Sequence, residues 1–314
     1  MAKTRPSANP FRLVAASWAY ARKHPVLFDV LLWMIVLPAA AGALMNGYWP
    51  EGETVSMQQI ATLGYVLGQV LVAFVTFWGS CAVLLVGRRM IRNRAGRNRT
   101  SFKAVRRESL GLILPLFFTG LLRSFVTFYW SLLYLIPAGA FVFFSVTCHT
   151  SILSGAQPLL DALNVGDPVA AQAILSHVLR ACGVVLFLLP LLLPALLYNL
   201  RTVFFPIALA AEDFTYRAAL RRSRQALRGR FWRTMGVLFL LTIVIFVPSN
   251  VLVSLLDLVP VSLPWLDAVR IVLESSIQSI ALFLFVLASI LVYGGLIDVK
   301  KKGPQEVVPE EVMA

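Results

Sequence analysis

The sequence predicts an all-α protein: a polytopic membrane helical bundle of about six transmembrane helices, arranged as three units of basic surface helix plus hairpin. Three observations carry this expectation. Hydrophobic residues fill 59% of the 314 positions, charged residues only 14%, and the mean hydropathy is +0.79. Apolar surface of that extent needs lipid as its solvent. The net charge of +13 is not spread evenly, because most Lys and Arg fall in residues 3–23, 88–107, 217–233 and 300–302. Long apolar runs separate these clusters, as the positive-inside rule expects of cytoplasmic segments between spans. Basic residues placed this way point to topology and anionic lipid headgroups rather than to nucleic acid.

Residues 1–25 form a basic N-terminal amphipathic segment holding Phe11, Arg12, Ser17, Trp18, Tyr20, Arg22, Lys23 and His24. The first span is expected over residues 26–45. Its small-residue end, Pro38 to Ala43, mimics a signal-peptide cleavage site. The long basic leader and Asp29 within the apolar run favour a retained span instead. Residues 46–59 carry Glu51 and Glu53 with no Lys or Arg, which places them on the non-cytoplasmic side. The second span, residues 62–87, contains Gly64-x-x-x-Gly68, a spacing that permits close helix approach.

The basic stretch near 88–109 is cytoplasmic by the same rule. It leads into an apolar run, residues 110–147, interrupted mainly by Pro115, Arg123 and Pro137. One crossing needs only about 20 residues. Two crossings would move residues 217–233 to the wrong side of the membrane. Residues 110–122 are therefore expected to lie on the surface or enter obliquely, with the third span from about 119 or 124 to 147.

Residues 148–176 are polar, with Asp161 and Asp167 and no Lys or Arg, hence outside. The fourth span follows at 181–200, Arg201 marks its cytoplasmic edge, and 202–211 lead along the surface into a basic helix. The fifth and sixth spans are expected at 234–256 and 271–297, closing on Lys300, Lys301 and Lys302. The tail, residues 299–314, bears Pro and Glu and reads as disordered. Both ends then face the cytoplasm. Arg180 and Arg270, at the far ends of the fourth and sixth spans, run against a bias that the four clusters set.

The sharpest element is the basic helix within residues 211–233. At about 100° per residue, Arg217, Arg221, Arg224 and Arg228 share one side, and Tyr216, Leu220, Ser223, Leu227 and Phe231 the adjacent one. An arginine stripe running into the apolar residues 234–247 is the pattern of a helix at an anionic membrane surface, so those four arginines are the candidate headgroup contacts. The helix also has sequence kin. Phe102 to Ser109 overlies Tyr216 to Ser223 at equal spacing, and Phe11, Arg12, Ser17 and Arg22 resemble both with a one-residue slip. Each is followed by an apolar run, a loop and a returning span, which gives the three-unit arrangement.

Pro194-Ala-Leu-Leu-Tyr-Asn-Leu-Arg-Thr-Val-Phe-Phe-Pro206, then Ala-Glu-Asp213, Arg217 to Leu220, Ser223, Leu227-Arg-Gly229 and Phe231-Trp232 carry a resemblance. The run is similar to the membrane domain of the glycerophosphoryl diester phosphodiesterase family and to related bacterial six-span families. The match is specific over roughly residues 194–236 and generic elsewhere. The resemblance implies architecture and a bacterial inner-membrane location. In that enzyme, catalysis belongs to a separate soluble barrel with acidic metal ligands and a histidine pair, and this chain holds no such motif.

Isolated charges within apolar runs are the other candidates. Arg123 and Arg201 either snorkel from the cytoplasmic edge or point inward to pair with Glu274, Asp29 or a lipid phosphate. Arg123, Arg201 and Glu274 together would form an intramembrane polar site. Glu274, Ser275, Ser276, Gln278 and Ser279 make half of the sixth span polar, and Ser249, Asn250 and Ser254 do so for the fifth. Interhelical hydrogen bonds account for them, and a substrate path is the alternative. His149, His177, Asp161 and Asp167 lack metal-ligand spacing, and Cys81, Cys148 and Cys182 lack CxxC spacing, so no metal or cofactor is expected. No nucleophile elbow, zinc-helix, Walker or dinucleotide motif occurs. A non-catalytic protein contacting lipid is expected, with a transporter or lipid-handling protein as the alternative.

Overall fold

The computed structural model describes residues 9–48, 55–92, 101–148, 187–212, 214, 216–258 and 263–301. Its elements in chain order are α1 (Pro10–Lys23), α2 (Val26–Leu31), a π-helical turn (Leu32–Val36), α3 (Leu37–Tyr48), α4 (Val55–Arg92) and α5 (Phe102–Cys148). A 3₁₀ turn (Leu189–Leu192), α6 (Leu193–Arg201), α7 (Phe205–Glu212), α8 (Tyr216–Leu227), α9 (Phe231–Asp257) and α10 (Pro264–Lys301) follow. Six of the helical stretches are long and apolar enough to cross a membrane: Val26–Tyr48, Met57–Arg88, Phe102–Ala140, Leu189–Glu212, Phe231–Asp257 and Trp265–Ile297. The chain is an all-α, multi-pass membrane protein.

It divides into two compact units, Met1–Thr119 with Val203–Ala314, and Gly120–Thr202. In the first unit, the hairpin of α2, α3 and α4 packs against the hairpin of α9 and α10. Helix α1 starts cleanly because Asn9 accepts the Phe11 N–H at 3.0 Å and Pro10 occupies the first turn. Its apolar line of Leu13, Ser17 and Ala21 is buried, and α1 packs on α9 and α10. The first described helix therefore rests on the last two described. Within the first hairpin the π turn sits against Gly79, where a Cβ would lie 2.6 Å from the Met34 carbonyl oxygen. Only glycine lets those two backbones approach so closely.

Three expectations change here. Residues 110–122 do not form a segment separate from the third span, because α5 runs unbroken from Phe102 to Cys148 through Pro115 and Pro137. Helix neighbours and ordered turns tolerate prolines in membrane helices. At about 70 Å, α5 is longer than a bilayer core, yet as one continuous helix it counts as one of the six candidate spans among the described residues. Of the basic stretch near 88–109, residues 88–92 end α4 and 102–109 begin α5, while 93–100 lie outside the described residues. Residues 202–211 do not run along a surface: Phe205, Ile207, Ala208, Leu209, Ala210 and Ala211 of α7 are all buried, and α7 packs on α4 and α8. Seven apolar or small side chains in a row leave no polar face for water, which is why α7 goes inside. The basic helix is also shorter than residues 211–233. It starts at Tyr216 and stops at Leu227, because Gly229 adopts φ +83° and turns the chain into α9.

Residues 1–8, 49–54, 93–100, 149–186, 213, 215, 259–262 and 302–314 lie outside the described residues, and with them His149, Asp161, Asp167, His177, Arg180, Cys182, Asp213 and most of the tail.

Candidate functional site

Helix α8 has two opposed faces. Ala219, Leu220, Ser223, Ala226 and Leu227 are buried. Arg217, Arg221 and Arg224 are exposed, and Arg228 is exposed in the turn that follows. On a regular helix the arginine stripe lies roughly 130° from the middle of the buried arc. Two small residues, Ala219 at 0% and Ala226 at 3% exposure, let α8 seat close against its neighbours. Ser223 is fully buried, and its hydroxyl accepts the Phe204 backbone N–H at 3.2 Å. That N–H belongs to the turn just before α7, and the Ser223 hydroxyl gives it an acceptor.

Arg222 is the arginine of α8 that leaves the stripe. Its Nε lies 2.7 Å from Glu212 Oε2 at the end of α7. The Tyr293 hydroxyl of α10 donates to Glu212 Oε1 at 2.9 Å. Burial works against the Arg222 charge, but the Glu212 carboxylate, by hydrogen bond and charge and with help from Tyr293, raises its pKa above the ordinary guanidinium value. Tyr293 is fully buried and its ring packs at 5.5 Å from that of Phe204. Three elements, α7, α8 and α10, thus converge on one carboxylate.

The N-terminus of α8 is held as well. Tyr216 has φ +49°, rare for a bulky residue, and its N–H donates to the buried Thr119 hydroxyl at 3.1 Å. The Tyr216 side chain is exposed, as is Trp232 at 77%, so aromatic rings flank the arginine stripe at both ends. Helix α1 repeats the pattern, with Arg12, Arg22, Lys23, Phe11 and Trp18 exposed around its buried line. The start of α5 exposes Lys103, Arg106 and Arg107 and buries Val105 and Ser109. The aligned serines Ser17, Ser109 and Ser223 are all at 0% exposure, so the sequence repeat has a structural counterpart. Their partners differ: Ser17 donates to Leu13 of its own helix, whereas Ser109 accepts the Trp78 indole N–H at 2.8 Å.

The three residues of the expected intramembrane site are described within their own units. Arg123 and Arg201 belong to the second unit and Glu274 to the first. Arg123 donates through Nε to the Thr202 hydroxyl at 3.1 Å and through Nη2 to the Asn199 carbonyl at 3.0 Å and its side-chain oxygen. Arg201 is exposed in the last turn of α6, where a cation complements the helix dipole. Glu274 lies 3.5 Å from Arg270, which also binds Asp267 at 2.7 Å and approaches Asp257 at 3.9 Å. Tyr48 donates to Asp267 at 2.8 Å and ties the first hairpin to this cluster. In the last hairpin the Gln278 amide donates to Asn250 at 3.1 Å, while Ser249 and Ser276 bond to carbonyls of their own helices. Among the described residues, no group of three His, Cys, Asp or Glu side chains could hold a metal ion.

The sequence reading missed the Glu212–Arg222–Tyr293 cluster. One signal was present: Arg222 is the arginine off the stripe, and Glu212 precedes it at the mouth of the helix. Tyr293 gave none, since it stands in an apolar run far along the chain. Comparison with known proteins finds no matching family model, curated protein or solved structure.

Proposed function

We propose that this protein is a non-catalytic component of a bacterial inner membrane whose basic interfacial helices grip anionic lipid headgroups, with both termini on the cytoplasmic side. The observation that carries the reading is the two-faced α8: Arg217, Arg221 and Arg224, with Arg228 in the following turn, are exposed away from a buried arc. A rigid row of guanidinium groups suits phosphate oxygens, and the exposed Tyr216 and Trp232 suit the headgroup level of a bilayer. Six crossings put both ends on one side, and the clustered Lys and Arg favour the cytoplasm. Helix α1 and the start of α5 add two further basic, aromatic-bearing surfaces, so the grip is multivalent.

A transport path was the alternative. The pairing of Gln278 with Asn250, and of Ser249 and Ser276 with their own carbonyls, supports helix packing as the use of those polar groups.

The test is thermal unfolding of the full chain in phosphatidylcholine nanodiscs made with and without phosphatidylglycerol. A ligand of the folded state raises the midpoint, and an electrostatic one does so less in high salt. The reading expects a rise that shrinks with salt. Equal midpoints in the two lipids would count against it.

A further inference from the structure

We propose that Glu212 and Tyr293 are positioning residues for the anionic-lipid face: through Arg222 they fix the roll of α8 about its axis and thereby aim the arginine stripe outward. The proposal deepens the lipid reading above and rests on it for the ligand, though not for the mechanics.

The geometry supports it in four steps. Helix α8 has 12 residues, too few to hold an orientation from its own backbone. It is bounded by two residues in the left-handed region, Tyr216 and Gly229, so neither flanking helix continues through it. Its orientation must therefore come from side-chain contacts. Arg222 sits at one edge of the buried arc, and its guanidinium is tied at 2.7 Å to Glu212 on the preceding helix. Glu212 is itself fixed by the hydroxyl of the fully buried Tyr293 at 2.9 Å. Ser223, the next residue, makes the second tie to Phe204. Two adjacent ties about 100° apart define a roll angle where one would act as a pivot.

The arrangement also uses one cation of α8 for structure rather than for lipid. Glu212 neutralises Arg222 locally, and this gives the proposal a signature of definite sign. Glu212→Gln removes a negative charge and releases an arginine. Counting charges alone, the variant should bind anionic lipid more strongly. If Glu212 positions the stripe, the variant should bind it more weakly. Arg222→Gln weakens binding under either view, and Arg222→Lys, which keeps the charge, should retain part of the wild-type preference.

The experiment uses the full chain in nanodiscs of phosphatidylcholine with phosphatidylglycerol, in a background without native cysteines. Single cysteines at Ala218, which is exposed, and Ala219, which is buried, report the roll through their rates of labelling by a charged maleimide. With Glu212 and Tyr293 intact, the Ala218→Cys site should react about ten-fold faster or more than Ala219→Cys, since the latter reacts only through local opening. Glu212→Gln should reduce that ratio and lower the preference for phosphatidylglycerol about three-fold, with the unfolding midpoint largely kept. An unchanged ratio, or a preference that rises, overturns the proposal. If Glu212→Gln does not fold, Tyr293→Phe decides by the same two readouts. A ratio that falls in a protein whose parent shows no phosphatidylglycerol preference overturns the lipid reading and leaves the roll mechanism standing.

Discussion

The Phe204 backbone N–H donates to the Ser223 hydroxyl at 3.2 Å, and both groups are buried. The aligned Ser17 is equally buried but only donates to Leu13 of its own helix. The same substitution should therefore have different effects at the two sites. Ser223→Ala strands a buried N–H, a loss of about 1–3 kcal/mol. Ser17→Ala strands nothing new, because the Leu13 carbonyl keeps its helical partner, and should stay within about 0.5 kcal/mol. Chemical or thermal unfolding of the two variants in detergent checks the order. Equal losses would contradict the hydrogen-bond assignment.

Gly79 and Gly111 make a matched pair inside long helices. A Cβ at Gly79 would meet the Met34 carbonyl oxygen at 2.6 Å, whereas one at Gly111 meets nothing within 4 Å. Gly79→Ala should force the first hairpin apart and lower the yield of folded protein, at a loss of about 1–3 kcal/mol from overpacking. Gly111→Ala should be neutral or stabilise by about 0.5–1 kcal/mol through helix propensity. Fluorescence size-exclusion profiles after graded heating would separate them.

Gly229 ends α8 with φ +83° and has open space where a Cβ would go. Gly229→Ala therefore tests backbone conformation without steric contact, and about 1 kcal/mol should be lost. Gly229→Asn, which tolerates the left-handed region better, should lose less. Unfolding midpoints that rank alanine above asparagine would contradict the turn.

How much of this was legible depends on which physical signal each element leaves in the chain. Span number and fold class were legible because crossing a bilayer demands long apolar runs, and basic clusters mark their ends. The arginine stripe of α8 was legible from its period, and the repeat correctly aligned three buried serines. The length of α5 was not, since hydropathy cannot tell a helix that bends onto a surface from one that continues through Pro115. The burial of α7 was hidden for a related reason: an apolar stretch suits lipid and protein interior alike, and only its packing on α4 and α8 decides. Tyr293 lies 81 positions from Glu212, so its pairing is a fact of tertiary structure alone.

The central claim is that the exposed arginines of α8 select anionic lipid at the protein's boundary. Electron spin resonance of spin-labelled phosphatidylglycerol and phosphatidylcholine, each present at trace level around the full chain in a common bilayer, measures that selection directly. For the unmodified protein the account predicts a larger immobilised fraction of phosphatidylglycerol, and for the combined Arg217→Gln, Arg221→Gln, Arg224→Gln and Arg228→Gln variant a marked loss of that excess. Equal immobilisation of both lipids by the unmodified protein, or an excess that survives the four substitutions, would contradict it.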